Sequence, residues 1–421
     1  MVVYGSEFAM VDSATPGFHT RPPATASPES VSVRVSTGWS IPAPAADAAD
    51  LTGGAKPWLW LGATAEGGLI LPAAMPTADQ LYAPRAVWLD DHYLIAADTG
   101  NHRVLIWNNP DTLGSHQEAD VVLGQPDFST EGAQAGGRGP NAGMRLPTGL
   151  IVDDGRLIVA DAWNHRILIW DDVPSVSDTP PDLILGQADA TSVDENRGCE
   201  CGPTTMYWPF GVAVIDGRFW VADTGNRRVL VWDEVPSSPD AEPAFVLGQP
   251  DGYSRDENRG EIGADSFRWP HDMAGNDQMV LVADAGNHRI LGWNPPPSAD
   301  GAAQQILGQP DDVTAIEVPY EPQSGTTLRF PYAIDIDFDA DLMAVADTAN
   351  NRVLLWDGVP TDSQTSASRV LGQVEFNGIG ENRWDLVGDD TFCWPYGLCL
   401  HRGRLAVADS GNNRIMVWDT T

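Results

Sequence analysis

Cations are scarce in this chain. Acidic residues outnumber basic ones 59 to 24, the formal charge is −35, and Lys56 is the sole lysine in 421 residues. That balance weighs against a nucleic-acid partner, because cation–phosphate contacts supply most of such affinity. It weighs equally against docking on an anionic membrane surface. The acidity reads as a solubility feature in which arginine replaces lysine, with adaptation to salt as the alternative. Long apolar runs are missing too: none approaches the roughly 20 residues that span a bilayer. The opening MVVYGSEFAMVDSATPG has no basic stretch ahead of an apolar core, so no secretory leader is read there. Its GSEF suggests a cloning scar over residues 1–9, with Met10 as the natural start. Four cysteines are too few to staple a chain of this length. The expectation is a cytoplasmic protein. Helical periodicity is also lacking, since no ten-residue stretch carries a convincing 3.6-residue pattern.

Glycine (42) and proline (33) are abundant instead, as suits many short strands joined by turns. The chain also repeats itself. AADTGNHRVLIW, ending at Trp107, returns as VADAWNHRILIW at Trp170 and VADTGNRRVLVW at Trp232. It returns again as VADAGNHRILGW at Trp293, VADTANNRVLLW at Trp356 and VADSGNNRIMVW at Trp418. The aspartates Asp98, Asp161, Asp223, Asp284, Asp347 and Asp409 fall 61 to 63 residues apart. A fixed period of this kind marks a repeat architecture.

Each repeat reads as four strands. A proline opens it (Pro84, Pro147, Pro209, Pro270, Pro331, Pro395), a short apolar run follows, and a tight turn leads to the run ending in the signature aspartate. The polar TGNHR-type turn leads to the tryptophan-ended run, and a variable loop precedes a fourth run such as DVVLGQP or AFVLGQP. The signature resembles that of NHL repeats, named for Asn-His-Leu. Arginine fills its third position here, as in many bacterial members, and LGQPD connectors accompany it. The resemblance covers residues from about 58 to 421. It implies an all-β, six-bladed β-propeller, an architecture that leaves only short, protected sheet edges. One blade cannot bury both faces of its sheet, so the ring has to close.

Closure is expected from a strand of the N-terminal region. The sixth repeat stops at Trp418-Asp419-Thr420-Thr421 without a fourth strand, and Trp58-Leu59-Trp60-Leu61-Gly62 looks like the missing one. Its two tryptophans are expected to be buried, each removing about 150–250 Å² from water. Residues 1–57 then form a tail or arm and 58–421 a single propeller. Residues 1–27, rich in Pro, Ala, Ser and Thr, are expected to be mobile. The alternating run Val31–Trp39 reads as a further strand.

The repeated Asp, Asn and Arg are read as scaffold, because six equivalent copies satisfy six equivalent turns. The same holds for His102, His165 and His288 in those turns, and for the tryptophans that end the strands. Function is sought where the repeats differ, in connectors of about 20 residues before each opening proline. The residues just after the prolines should ring the channel mouth: Arg85, Thr148, Phe210, His271, Tyr332 and Tyr396. Two positions before the prolines stand Arg145, Arg268 and Arg329. Aromatic faces beside arginines suit a peptide, a carboxylate or a partner protein. Asp272 stands out because its equivalents are Gly or Ala, and His271-Asp272 could orient a ligand or a proton donor.

Known NHL domains mostly serve as interaction platforms, so the resemblance implies a non-catalytic protein- or peptide-binding scaffold or subunit. The alternative is a metal-dependent lyase or hydrolase, as in six-bladed relatives such as the amidating lyases. Of the histidines only His271 falls at a mouth position. No cofactor is expected, with a channel calcium ion on Asp272 and Asp335, or a zinc ion, as the alternative. Cys199 and Cys201 lie in the connector before the third repeat, opposite Cys393 and Cys399 of the sixth, which makes one four-cysteine site a poor fit. Cys399 reads as a buried, inert thiol. No nucleophile elbow, phosphate loop or dinucleotide fingerprint is present.

Overall fold

The computed structural model describes residues 50–65 and 75–421. The expected scar, the mobile stretch at 1–27 and the strand at 31–39 lie outside the described residues. Within them, six four-stranded antiparallel sheets form. No helix among them is long and apolar enough to cross a membrane.

The first blade runs Ala86–Leu89, Tyr93–Asp98, Arg103–Asn108 and Val121–Leu123, each strand paired with the next. Blades two to five repeat that order. Their innermost strands are Gly149–Asp153, Pro209–Ile215, Pro270–Gly275 and Pro331–Asp337, and that of blade six is Pro395–His401. Each innermost strand touches those of both neighbouring blades, and the last touches the first, so the ring is closed. The core is distributed between blades. Leu94, Leu105 and Val122 of blade one pack with Leu59, Leu61, Ala406 and Ile415 across the join with blade six. At about 1.5–3 kcal/mol for each buried aliphatic side chain, such layers supply the main drive for closure.

The join forms as the sequence predicts. Strand Lys56–Gly62 pairs antiparallel with Arg414–Asp419, from Lys56 opposite Asp419 to Gly62 opposite Arg414, with a bulge between Pro57 and Leu59. The anchoring side chains differ from expectation. The bulge and the two-residue alternation of a strand turn Leu59 and Leu61 into the core, where they are 2% and 0% exposed. Trp58 is 37% exposed, with the Arg404 guanidinium 5.3 Å from its ring centre. Trp60 is only partly buried and donates its indole N–H to the Asp389 carbonyl at 3.2 Å.

The signature residues form one device in every blade. In blade three, Asp223 Oδ1 accepts the Tyr207 N–H at 2.8 Å. Oδ2 accepts from the Asn226 side chain and from Arg228 Nε, both at 2.8 Å. The remaining nitrogens of Arg228 donate to the carbonyls of Gly252, Gly202 and Thr205 at 2.6, 2.9 and 2.9 Å. One guanidinium thereby ties the connector entering its blade to the connector leaving it. These pairs are buried, with both side chains of Arg228–Asp223 at 0% exposure, and each arginine partners the aspartate of its own repeat.

The residue before that arginine latches blade to blade. It sits in the left-handed region in all six repeats, at φ 53° to 57°. His102 Nδ1 accepts the Leu146 N–H at 3.0 Å, His165 that of Trp208 at 3.0 Å and His288 that of Phe330 at 3.2 Å. Asn351 and Asn413 accept from Trp394 and Ala83 at 2.9 Å through their amide oxygens. Leu146, Trp208, Phe330, Trp394 and Ala83 all have positive φ, near 50°. This costly conformation for a residue before proline is held by the latch. In the third repeat the latch position is Arg227, which can only donate. The corresponding residue, Trp269, has no positive φ, and its N–H goes to Asp284 at 3.2 Å instead.

Candidate binding site at the channel mouth

Where the innermost strands begin, their backbones converge. A Cβ on Gly211 would stand 2.2 Å from the His271 carbonyl oxygen, and one on Gly149 2.2 Å from that of Phe210. The register also slips just after the opening proline, between Pro209 and Val212, Pro270 and Asp272, Pro331 and Ala333, and Pro395 and Leu398. A bulge re-aims a side chain, and here the one after each proline faces the channel. Arg85, Thr148, Phe210, His271, Tyr332 and Tyr396 all line a single cavity of about 380 Å³.

Five of the six form a continuous arc. Phe210 and His271 have ring centres 4.2 Å apart, His271 and Tyr332 4.4 Å, and Tyr332 and Tyr396 4.7 Å at an interplanar angle of 14°. The Arg85 guanidinium lies 4.7 Å from the Tyr396 ring centre. Thr148 is the small member, its hydroxyl donating to the Phe210 carbonyl at 3.0 Å.

His271 and Asp272 do not partner each other. His271 Nδ1 lies 2.9 Å from the Trp269 carbonyl, which fixes it as the N–H donor, and burial pushes the imidazole down to about 3. Asp272 accepts from its neighbour Met273 N–H at 3.0 Å and, across blades, from Ile334 N–H at 3.1 Å. Asp335 repeats the move one blade on, accepting from Leu400 N–H at 2.7 Å and from Ile336 N–H at 2.8 Å. The Leu89 N–H then meets Cys399 Sγ at 3.3 Å. Withdrawal from bulk water raises Asp272 to about 8 and Asp335 to about 6, and raises the Cys399 thiol as well. Each oxygen of both acids thus takes an N–H donor, an arrangement that bridges neighbouring innermost strands. Among the described residues no three His, Cys, Asp or Glu side chains come together as metal ligands, and all four cysteines are free thiols.

The arginines two positions before the prolines stand outside this cavity. Their backbone N–H groups are taken by the signature aspartates, at 2.7 Å for Arg145, 3.0 Å for Arg268 and 2.6 Å for Arg329. Their side chains meet partners on the connectors and turns. Arg145 lies over Trp163, Arg268 pairs with Glu257 at 3.2 Å, and Arg329 pairs with Glu317 at 2.6 Å. The Asn-Arg pairs of the connectors fold short turns, with Asn196, Asn258 and Asn382 each hydrogen-bonded to the signature asparagine of its blade. Sequence reasoning missed the staircase from Asp272 through Asp335 to Cys399. Its only signal was that polar residues replace small or apolar ones on three successive innermost strands.

The NHL repeat family matches residues 144–170, the stretch from Met144 through the second signature to Trp170. The chain carries an NHL repeat at this position. The chain is 26% identical over 351 residues to NHL repeat-containing protein 2 of Gallus gallus, and 24% identical over 358 residues to its counterpart in Homo sapiens. Both alignments cover 77% of the present chain and 44% of the relative, so the chain spans less than half the length of the curated relatives it matches. Among solved structures, the WD40 beta propeller domain of Doa1 aligns over 87% of this chain and 97% of its own, at 11% identity and a TM-score of 0.46. The computationally designed Ika8 protein aligns over 86% and 99%, at 12% and 0.39.

Proposed function

We propose that this propeller is a non-catalytic binding module, a scaffold or subunit that takes a protein or peptide segment at one mouth of its channel. The observation that carries the reading is the unbroken arc Phe210–His271–Tyr332–Tyr396–Arg85 around a cavity of about 380 Å³. Aromatic and arginine side chains are the groups from which interface anchors are most often built. They are held here by a rigid ring and need no ordering on binding, which lowers the entropic cost of association. Arg145, Arg268 and Arg329, on the surrounding surface, serve as outer contacts. The overall charge of −35 favours a protein partner over nucleic acid.

The test is to pan a displayed peptide library against the purified protein, and again against Phe210→Ala and Tyr396→Ala variants that melt like the parent. Peptides that bind the parent and lose at least about tenfold in affinity to both variants, roughly 1.4 kcal/mol, support the reading. Peptides that bind all three proteins alike would place the site elsewhere.

A further inference from the structure

Among the described residues Arg85 is the one arginine or lysine lining the channel cavity, in a protein with few cations. Many of the other arginines are committed to carboxylates. Those of the signature are buried against their aspartates, and Arg268 and Arg329 have glutamate partners. Among the described residues the Arg85 side chain has neither an ion pair nor a hydrogen bond. Its Nε is shielded from solvent without an acceptor, and the guanidinium lies over the face of Tyr396. A guanidinium so placed has given up part of its hydration and gained only a ring contact in return. An anion would supply what is missing.

The surroundings select the kind of anion. The Tyr332 and Tyr396 rings lie nearly parallel beside the guanidinium, which suits a flat group. One planar fork matches one planar carboxylate, whereas a phosphate dianion would call for further cations that the lining lacks. The acids that line the same cavity bond elsewhere, Asp153 to Arg156 and both Asp272 and Asp335 to backbone N–H groups.

We propose that Arg85, backed by Tyr396 and Tyr332, is a carboxylate-binding site at the channel mouth, and that the segment this propeller takes is anchored there by a carboxylate. The inference rests on the peptide-binding reading and deepens it. The carboxylate can come from the C-terminus of a peptide or from an Asp or Glu side chain, and the two sources share the recognition chemistry.

The probes are N-acetyl-phenylalanine, its amide, N-acetyl-glutamate α-amide, N-acetyl-glutamine α-amide and inorganic phosphate. Each is titrated into the 421-residue chain and followed by backbone NMR shifts and by tryptophan fluorescence, to which Trp208 contributes with its ring centre 6.3 Å from those of Phe210 and His271. At least one acid should bind about tenfold or more tightly than its matching amide, the scale of one charge-assisted pair. Arg85→Gln should erase the difference. Preference for the phenylalanine acid assigns a C-terminus, and preference for the glutamate compound assigns a side chain. Equal binding of acids and amides by the parent overturns the site, as does an acid preference that survives Arg85→Gln or phosphate binding as tight as that of either acid. The acid–amide contrast in the parent decides the matter even if the variant folds poorly. Panned peptides that depend on Phe210 and Tyr396 but tolerate neutralisation of every carboxyl would sink this inference alone. Small acids that bind through Arg85 while no peptide is recovered would sink the peptide reading alone.

Discussion

Arg228→Lys is the most direct test of how the ring is held together. The change keeps the charge and nearly the length, yet a lysine ammonium is a compact point that cannot reach acceptors on both sides at once. Arg228 serves four, namely Asp223 Oδ2 and the carbonyls of Gly252, Gly202 and Thr205, at 0% side-chain exposure. A lysine that keeps the aspartate leaves the Gly252 and Thr205 carbonyls without an N–H donor, while the Gly202 carbonyl still accepts the Thr205 N–H at 3.2 Å. Each buried unpaired group costs about 1–3 kcal/mol. The expected loss is therefore about 3–5 kcal/mol, comparable to breaking one partner of a buried pair. Urea denaturation measures it, with Arg218→Lys as the control. That side chain is 31% exposed and should change stability by less than about 0.5 kcal/mol. Hydrogen exchange should locate the damage, with faster exchange in the connectors around Gly202 and Gly252 before the blade strands respond. A loss below about 1 kcal/mol, or loosening confined to the strands, would refute the view that these arginines act by clamping connectors.

Other outcomes follow from the same geometry. Removal of residues 1–62 should abolish cooperative unfolding, and Leu61→Ala alone should cost about 2–5 kcal/mol, whereas Trp58→Ala should cost far less; calorimetry on the three proteins checks the order. Gly211→Ala should destabilise strongly, because its Cβ would lie 2.2 Å from the His271 carbonyl oxygen, which is backbone and cannot swing aside; a melting temperature equal to the parent's would contradict the convergence of the inner strands. His288, desolvated and lowered to about 4, accepts the Phe330 N–H with Nδ1. The unfolded protein binds a proton near 6.5 and the folded one does not, so stability present above that pH should fall as the pH drops from about 6.5 to 4, by at most about 3 kcal/mol. His288→Asn should keep the latch, as Asn351 and Asn413 do, and flatten that part of the profile in denaturation curves taken at pH 7 and pH 5.

Repeat number, strand order and the closing strand were legible because each rests on a spacing the sequence states openly. The mouth positions could be read for a related reason: the opening proline fixes a reference point in every blade, and the residue after it is one step away. What stayed hidden depended on contacts between repeats. Nothing local marks His102 as the acceptor for Leu146, since the two meet only when neighbouring blades dock. Arg145, Arg268 and Arg329 shared composition with a mouth residue but not its bulge, so their side chains stand apart from the cavity. Trp58 and Trp60 have the largest apolar faces in their strand, yet Pro57 and the bulge after it hand the core to Leu59 and Leu61.

The join at Lys56–Gly62 also has a consequence in time. This strand leaves the ribosome some 350 residues before its partner Arg414–Asp419 exists. Local hairpins of blades one to five can form as they emerge, but the ring cannot be completed during that interval. Until the partner arrives, blade one lacks the neighbour that covers Leu94 and Leu105, and the strand keeps an open edge, the kind of surface that recruits other proteins. A contact of such sequence separation is slow to form. Nascent copies of this protein should therefore be most exposed to chaperones, and most prone to pair with one another, just before the sixth repeat is released.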